Sequence, residues 1–152
     1  DSIISNKEIS HIQLPCNILD WRWRDPNVIQ KLIEREDLII HGRSIFLQGL
    51  LINSEEIWPK FPGVEAKEWI DKIDNCVQFL KRKDSRDLCI SYMRGQPWVD
   101  SLVIGVETAD QLNNTCDYFS YPHLTSEEVF YVNENLGGIE EDFLNPGLWK
   151  SE

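Results

Sequence analysis

Between Ser101 and Ile104 the chain reads Ser-Leu-Val-Ile, an apolar, largely β-branched run that stops at Gly105. Such a run fits a buried strand of a parallel sheet better than a half-exposed one. Thr108, standing ahead of Ala109, Asp110 and Gln111, carries the N-cap pattern of Ser or Thr followed three residues later by Glu or Gln. It predicts a helix from Asp110 to Tyr118. Two earlier segments follow the same plan. Ile9 to Ile18 has strand composition broken at Pro15, so its strand ends near Leu14. Asp25-Pro26 then supplies an N-cap and first-turn proline for a helix whose Val28, Ile29, Leu32 and Ile33 form one apolar stripe ending before Leu38. Leu38 to Phe46 predicts the second strand, with Gly42, Arg43 and Ser44 where it meets its loop. Trp69, Ile70, Ile73, Val77 and Leu80 recur at helical spacing within Val64 to Lys81. Leu88, Cys89, Tyr92 and Met93 do the same within Ser85 to Arg94.

No hairpin signal separates the strands, so three βα units in succession imply right-handed crossovers and a parallel α/β sheet. Residues 1–8 are polar and either close a preceding helix or hang free. A further helix is predicted from Thr125 to Asn133. The whole reads as one domain over 1–152, with the βα units in 9–118 and a helical covering extension in 119–152.

Composition narrows the class. The chain has 152 residues, 41% of them hydrophobic, with six Trp and six Phe, enough for a real core. Its formal net charge of −11 argues against nucleic acid and against an anionic membrane surface as partners. No run approaches the roughly 18 apolar residues of a membrane span, and the first residues lack the shape of a signal peptide. The expected location is cytoplasmic. Cys16, Cys76, Cys89 and Cys116 are far apart, without a C-x-x-C pair or a His at ligand spacing, so neither a disulfide nor zinc is expected. The chain does not begin with Met, which suits a processed product, an excised fragment or one piece of a longer protein.

Candidate chemistry gathers at predicted strand ends. The Gly105 turn and capped helix place free N–H groups and a positive dipole end at the C-terminal edge of the sheet, a place suited to an anion, although strand, glycine and capped helix also occur in α/β proteins that bind no phosphate. Arg43 is suited either to a carboxylate or phosphate ligand or to a salt bridge with one of the acidic residues. Gln13 is suited either to a core carbonyl or to a ligand hydrogen bond. His41 reads as a satisfied core histidine. The Asp20 to Arg24 segment, Asp-Trp-Arg-Trp-Arg, reads as a loop whose tryptophans cover the sheet edge, in preference to a stacking platform.

Three of these segments, taken in order, resemble a family. Ile12 to Asp20, Arg43 to Leu51, and Val103 to Thr108 with Gln111 and Leu112 look like the last three strands of an aldo-keto reductase. The likeness runs from Ile9 to about Thr115. Leu144-Asn145-Pro146 with Trp149 is similar to the ending of members from surface-sugar biosynthesis. The resemblance implies the C-terminal portion of a (β/α)8 TIM-type barrel that binds NADP or NAD in extended form across its C-terminal face. By the same resemblance Gln13 would meet the nicotinamide carboxamide. Arg43, Ser44, Phe46, Gln48 and Gly49 would wrap ribose and pyrophosphate, and Gly105, Val106, Glu107, Gln111 and Asn114 would hold the adenosine end. Two positions depart from the family pattern. Arg43 stands where many members carry an aromatic ring, and Gly105-Val106 replaces the Lys-Ser pair that usually marks a 2′-phosphate pocket, leaving NADP against NAD open.

The catalytic Asp, Tyr, Lys and His of that family belong to the first half of its barrel, which no segment here matches. No catalytic residue is therefore assigned; Tyr92, Tyr118, Tyr121 and Tyr131 read as packing. The leading expectation is an oxidoreductase part that binds a nicotinamide cofactor and serves a small carbonyl or sugar substrate when joined to the missing N-terminal half-barrel. The alternative is a non-catalytic partial-barrel module held together by self-association, since three strands leave two open edges. A weaker third reading is another phosphate-binding barrel piece.

Overall fold

The computed structural model describes residues 2–149. Its framework is three parallel strands in the order β1-β2-β3: β1 (His11–Pro15), β2 (Ile39–Arg43) and β3 (Ser101–Val103). The described helices are α1 (Ser2–Ser5), α2 (Pro26–Ile33), α3 (Ala66–Phe79), α4 (Ser85–Arg94), α5 (Ala109–Tyr118) and α6 (Ser126–Asn135), with short 3-10 turns between and after them. The result is α/β, with helices linking successive parallel strands. It is the architecture of part of a (β/α)8 barrel.

Four of the described helices, α2, α4, α5 and α6, begin where the sequence provides a side-chain cap. The Asp25 carboxylate accepts from Asn27 N–H ahead of Pro26, and Asp84 accepts from Asp87 N–H at the start of α4. Thr125 and Glu128 form a reciprocal capping box on α6. Strand limits were less visible. β1 starts at His11 and includes Pro15, which pairs in register with Arg43. Pro15 lacks a donor, but it is the last residue of the strand, and the bond beyond it runs from Cys16 N–H to Arg43 O at 3.0 Å. β2 stops at Arg43, short of the predicted Phe46, because Ser44 turns the chain with φ 58°.

The register places Gln13, His41 and Ser101 in one row and Pro15, Arg43 and Val103 in the next. This face of the sheet has no covering layer among the described residues. The opposite face carries Ile12, Leu14, Ile40, Gly42 and Leu102, packed on the helices. Two expectations are corrected here. β3 is not buried, since Val103 is 43% exposed: among the described residues its outer edge has no strand partner and one of its faces is open. His41 is not a core residue; it lies half-buried on that open face, edge-on to the ring of His11 at 6.2 Å.

The core lies on the helical side. Phe143 is fully buried, stacked on Trp58 at 5.5 Å and edge-on to Phe61, so the C-terminal extension is packed into the molecule. The Asp20 to Arg24 segment forms a 3-10 turn that fastens this extension. Trp21 Nε1 donates to Ile139 O at 2.9 Å, and Arg24 donates to Asn133 O at 2.7 Å and Ile18 O at 2.9 Å. The covering role read for its tryptophans is thus accompanied by a polar one for its arginine.

Candidate functional site

The sheet's C-terminal edge opens into a groove of two adjoining compartments. The larger, of about 580 Å³, is lined on the β2 side by Ser44, Phe46, Gln48 and Gly49, and on the β3 side by Gly105, Val106, Glu107 and Gln111. The smaller, of about 410 Å³, lies between the first turn of α4 and the face of α5 that carries Asn114 and Tyr118. Ile52, Arg86 and Gln111 border both.

The β2 wall owes its shape to backbone conformation. Ser44, Leu47, Gln48 and Gly49 all adopt the left-handed region, with φ of 58°, 45°, 56° and 88°. Only glycine takes this up without cost, so a run including three L-residues is strained. Burial of Ile45, Leu47 and Leu50 holds the strained turn in place. The β3 wall ends at Gly105, where an added Cβ would meet nothing within 4 Å, so the main chain there is open to close approach by a ligand.

Beyond Gly105, Thr108 Oγ1 accepts from Gln111 N–H at 3.1 Å and Gln111 Oε1 accepts from Glu107 N–H at 2.7 Å. Two of the donors available to an anion are therefore already occupied within the turn. The N–H groups of Ala109 and Asp110, in the first turn of α5, retain no intrahelical partner.

Of the predicted site residues, Ser44, Phe46, Gln48, Gly49, Gly105, Val106, Glu107, Gln111 and Asn114 line the groove. Gln13 and Arg43 do not. Gln13 is exposed on β1, two residues before the strand end, and the Arg43 guanidinium, among the described residues, bonds Ser44 Oγ at 3.3 Å. Arg86 is the residue that sequence reasoning missed; one charge in the first turn of a helix resembles any solvated face.

Two tyrosines are held in their protonated form above the ordinary range. Burial, aided by the bond from its hydroxyl to Asp84, pushes Tyr118 up to about 12, and burial also raises Tyr92, whose hydroxyl donates to Asn133 Oδ1 at 2.6 Å. Cys16, Cys76 and Cys89 are buried, and burial pushes the Cys16 thiol up to about 12 and Cys76 up to about 11. Among the described residues no group of three His, Cys, Asp or Glu is placed to hold a metal, and no helix is long and apolar enough to cross a membrane.

Comparison with known proteins bears on the family and the fold. The sequence profile of the Aldo/keto reductase family matches residues 4–136. The chain belongs to the aldo/keto reductase family. Among solved structures it is similar to the holo form of aldo-keto reductase AKR11C1 from Bacillus halodurans, with a TM-score of 0.66 and 17% identity over 95% of this chain and 49% of that one. The apo form of the same enzyme gives a TM-score of 0.69 and 17% identity over 95% of this chain and 50% of that one. At that identity the likeness concerns the fold, and the chain spans about half the length of these aldo/keto reductase structures. No curated protein sequence matches it significantly.

Proposed function

We propose that this chain is the cofactor-binding C-terminal part of a cytoplasmic aldo/keto reductase-type oxidoreductase, a single partial-barrel domain that takes NADP or NAD and serves a carbonyl or sugar substrate once a complementary half-barrel completes it. The observation that carries the reading is the convergence of the Ser44 to Gly49 turn and the Gly105 to Asn114 segment, far apart in sequence, on one continuous groove. An extended dinucleotide needs an elongated cleft with polar groups along both walls and a place for its phosphates. The residues present fit that need. Ser44, Gln48, Asn53, Gln111 and Asn114 offer hydroxyl and amide groups, and the exposed main chain at Gly105 admits close approach.

Bound there, a nicotinamide cofactor supplies the reducing equivalents for a carbonyl. The chain's own residues bind and orient it. Gln13 and Arg43 stand outside the groove on the open sheet face; by the family resemblance Gln13 would meet the nicotinamide carboxamide, and Arg43 the ribose and pyrophosphate, once that face is enclosed. The proton donor for the reduced carbonyl comes from the complementary half, because reduction needs a donor within about 3 Å of the developing alkoxide and Tyr118, the tyrosine that lines the groove, has its hydroxyl committed to Asp84.

Titration of NADPH and NADH against the chain by fluorescence, with its solution mass recorded on the same sample, tests the reading. Binding that weakens in Gln111→Ala and Gly49→Val supports it. Absence of binding up to millimolar concentration in a folded, monodisperse sample overturns it for this chain.

A further inference from the structure

Six of the seven arginines direct the guanidinium onto an acceptor. Arg22 pairs with Asp20, Arg24 with main-chain carbonyls, Arg35 with Asp37, Arg43 with Ser44 Oγ, Arg82 with Asp87, and Arg94 with Tyr121 O. Arg86 is the exception. Its guanidinium makes no hydrogen bond or ion pair to any described residue and rests against the Phe46 ring, 5.5 Å from its centroid. The side chain is half-buried, in a protein of net charge −11 that offers carboxylates in excess.

Its place adds to the contrast. Arg86 borders both compartments at their junction and is the one cation among the described residues lining either. The neighbouring carboxylate of Asp84 is already committed to Asp87 N–H and the Tyr118 hydroxyl. A planar fork of donors, held by an aromatic face and left without an acceptor, matches a pair of phosphate oxygens.

We propose that Arg86 is the phosphate-binding residue of this groove, donating two parallel N–H bonds to a phosphate of the ligand that spans both compartments. The inference rests on the dinucleotide reading above and names the residue that supplies its charge recognition. Either the pyrophosphate or a 2′-phosphate of the adenosine end presents this chemistry, and the test separates them.

NADPH and NADH are titrated against the wild-type chain, Arg86→Ala and Arg86→Lys at low and moderate salt, with thermal melting recorded for each. Arg86→Ala weakens binding by about 10- to 100-fold and flattens the salt dependence, while Arg86→Lys keeps part of the affinity. A 2′-phosphate contact appears as a loss confined to NADPH, a pyrophosphate contact as an equal loss for both. If Arg86→Ala melts early because the Phe46 contact is gone, Arg86→Gln keeps the stem and serves in its place. Affinities within about twofold of wild type for both dinucleotides overturn the assignment of Arg86 and leave the groove reading standing. A wild-type chain that binds neither dinucleotide overturns both.

Discussion

Arg82 and Asp87 provide the most demanding test of what holds α4, and with it one wall of the groove, in place. The Arg82 and Asp87 side chains are 8% and 2% exposed, and Arg82 Nη2 lies 2.5 Å from Asp87 Oδ1 while Nε lies 2.9 Å from Oδ2. The same guanidinium donates to Ser91 Oγ at 2.6 Å and to Pro122 O at 3.1 Å, and Asp87 also accepts from Lys83 N–H and Ser91 Oγ. Arg82→Met leaves a buried carboxylate with two neutral donors and frees the Pro122 carbonyl. Stranding one member of a buried pair costs about 3–5 kcal/mol, against a total stability of about 5–15 kcal/mol. Asp87→Leu strands the guanidinium and is expected to cost a similar amount. The double variant removes both charges and should cost less than either single change.

Urea unfolding followed by tryptophan fluorescence reads this out. With a slope near 2 kcal/mol/M, a 4 kcal/mol loss moves the midpoint by about 2 M. Burial favours the neutral Asp87 carboxyl, but the Arg82, Lys83 and Ser91 donors outweigh it and hold the group below its ordinary value. Its contribution is therefore complete above the unfolded value near 3.9 and is lost as pH falls through the folded one, a component that the double variant lacks. Single variants within about 1 kcal/mol of wild type, or a double variant worse than both, would refute the assignment of this pair as the clamp on α4.

Gly95 ends α4 where a Cβ would lie 2.7 Å from Leu124 O and 3.0 Å from Val129 Cγ2, and Leu124 is fixed by its bond to Ser91 O; Gly95→Ala should cost about 1–3 kcal/mol in the same urea assay. Tyr118, buried and bonded to Asp84, is pushed up to about 12 from 10.0, so its share of stability is complete below pH 10 and is lost as pH rises toward 12; Tyr118→Phe should remove that alkaline component in a pH series of melting curves.

Periodicity and caps made the α/β order legible. The α4 stripe and caps such as Asp25, Thr108 and Thr125 are local signals that burial elsewhere does not override. The β3 run misled about burial because apolar, β-branched residues report how a strand packs in a closed sheet, and Val103 faces open space here. Most of the groove lining was named through the family resemblance; the residues alone offered the Gly105 turn with its capped helix, because a glycine and a cap are local signals. Arg86 was not legible, since its meaning lies in the absence of an acceptor, which only three-dimensional placement reveals. Gln13 and Arg43 could be ranked at strand ends, but which face of the sheet they occupy follows from register, and a one-residue uncertainty in a strand limit reverses it.

The fastening of Arg24 to Asn133 O spans 109 positions, and that of Trp21 to Ile139 O spans 118. A ribosome adding about 5–20 residues per second needs roughly 5–20 s to bring the first pair into existence. During that interval the β1 turn is present without its carbonyl acceptors, and Leu136 and Phe143 have yet to reach the core they complete. The β1 turn therefore gains these acceptors, and the core gains Leu136 and Phe143, only after most of the described chain has been synthesised.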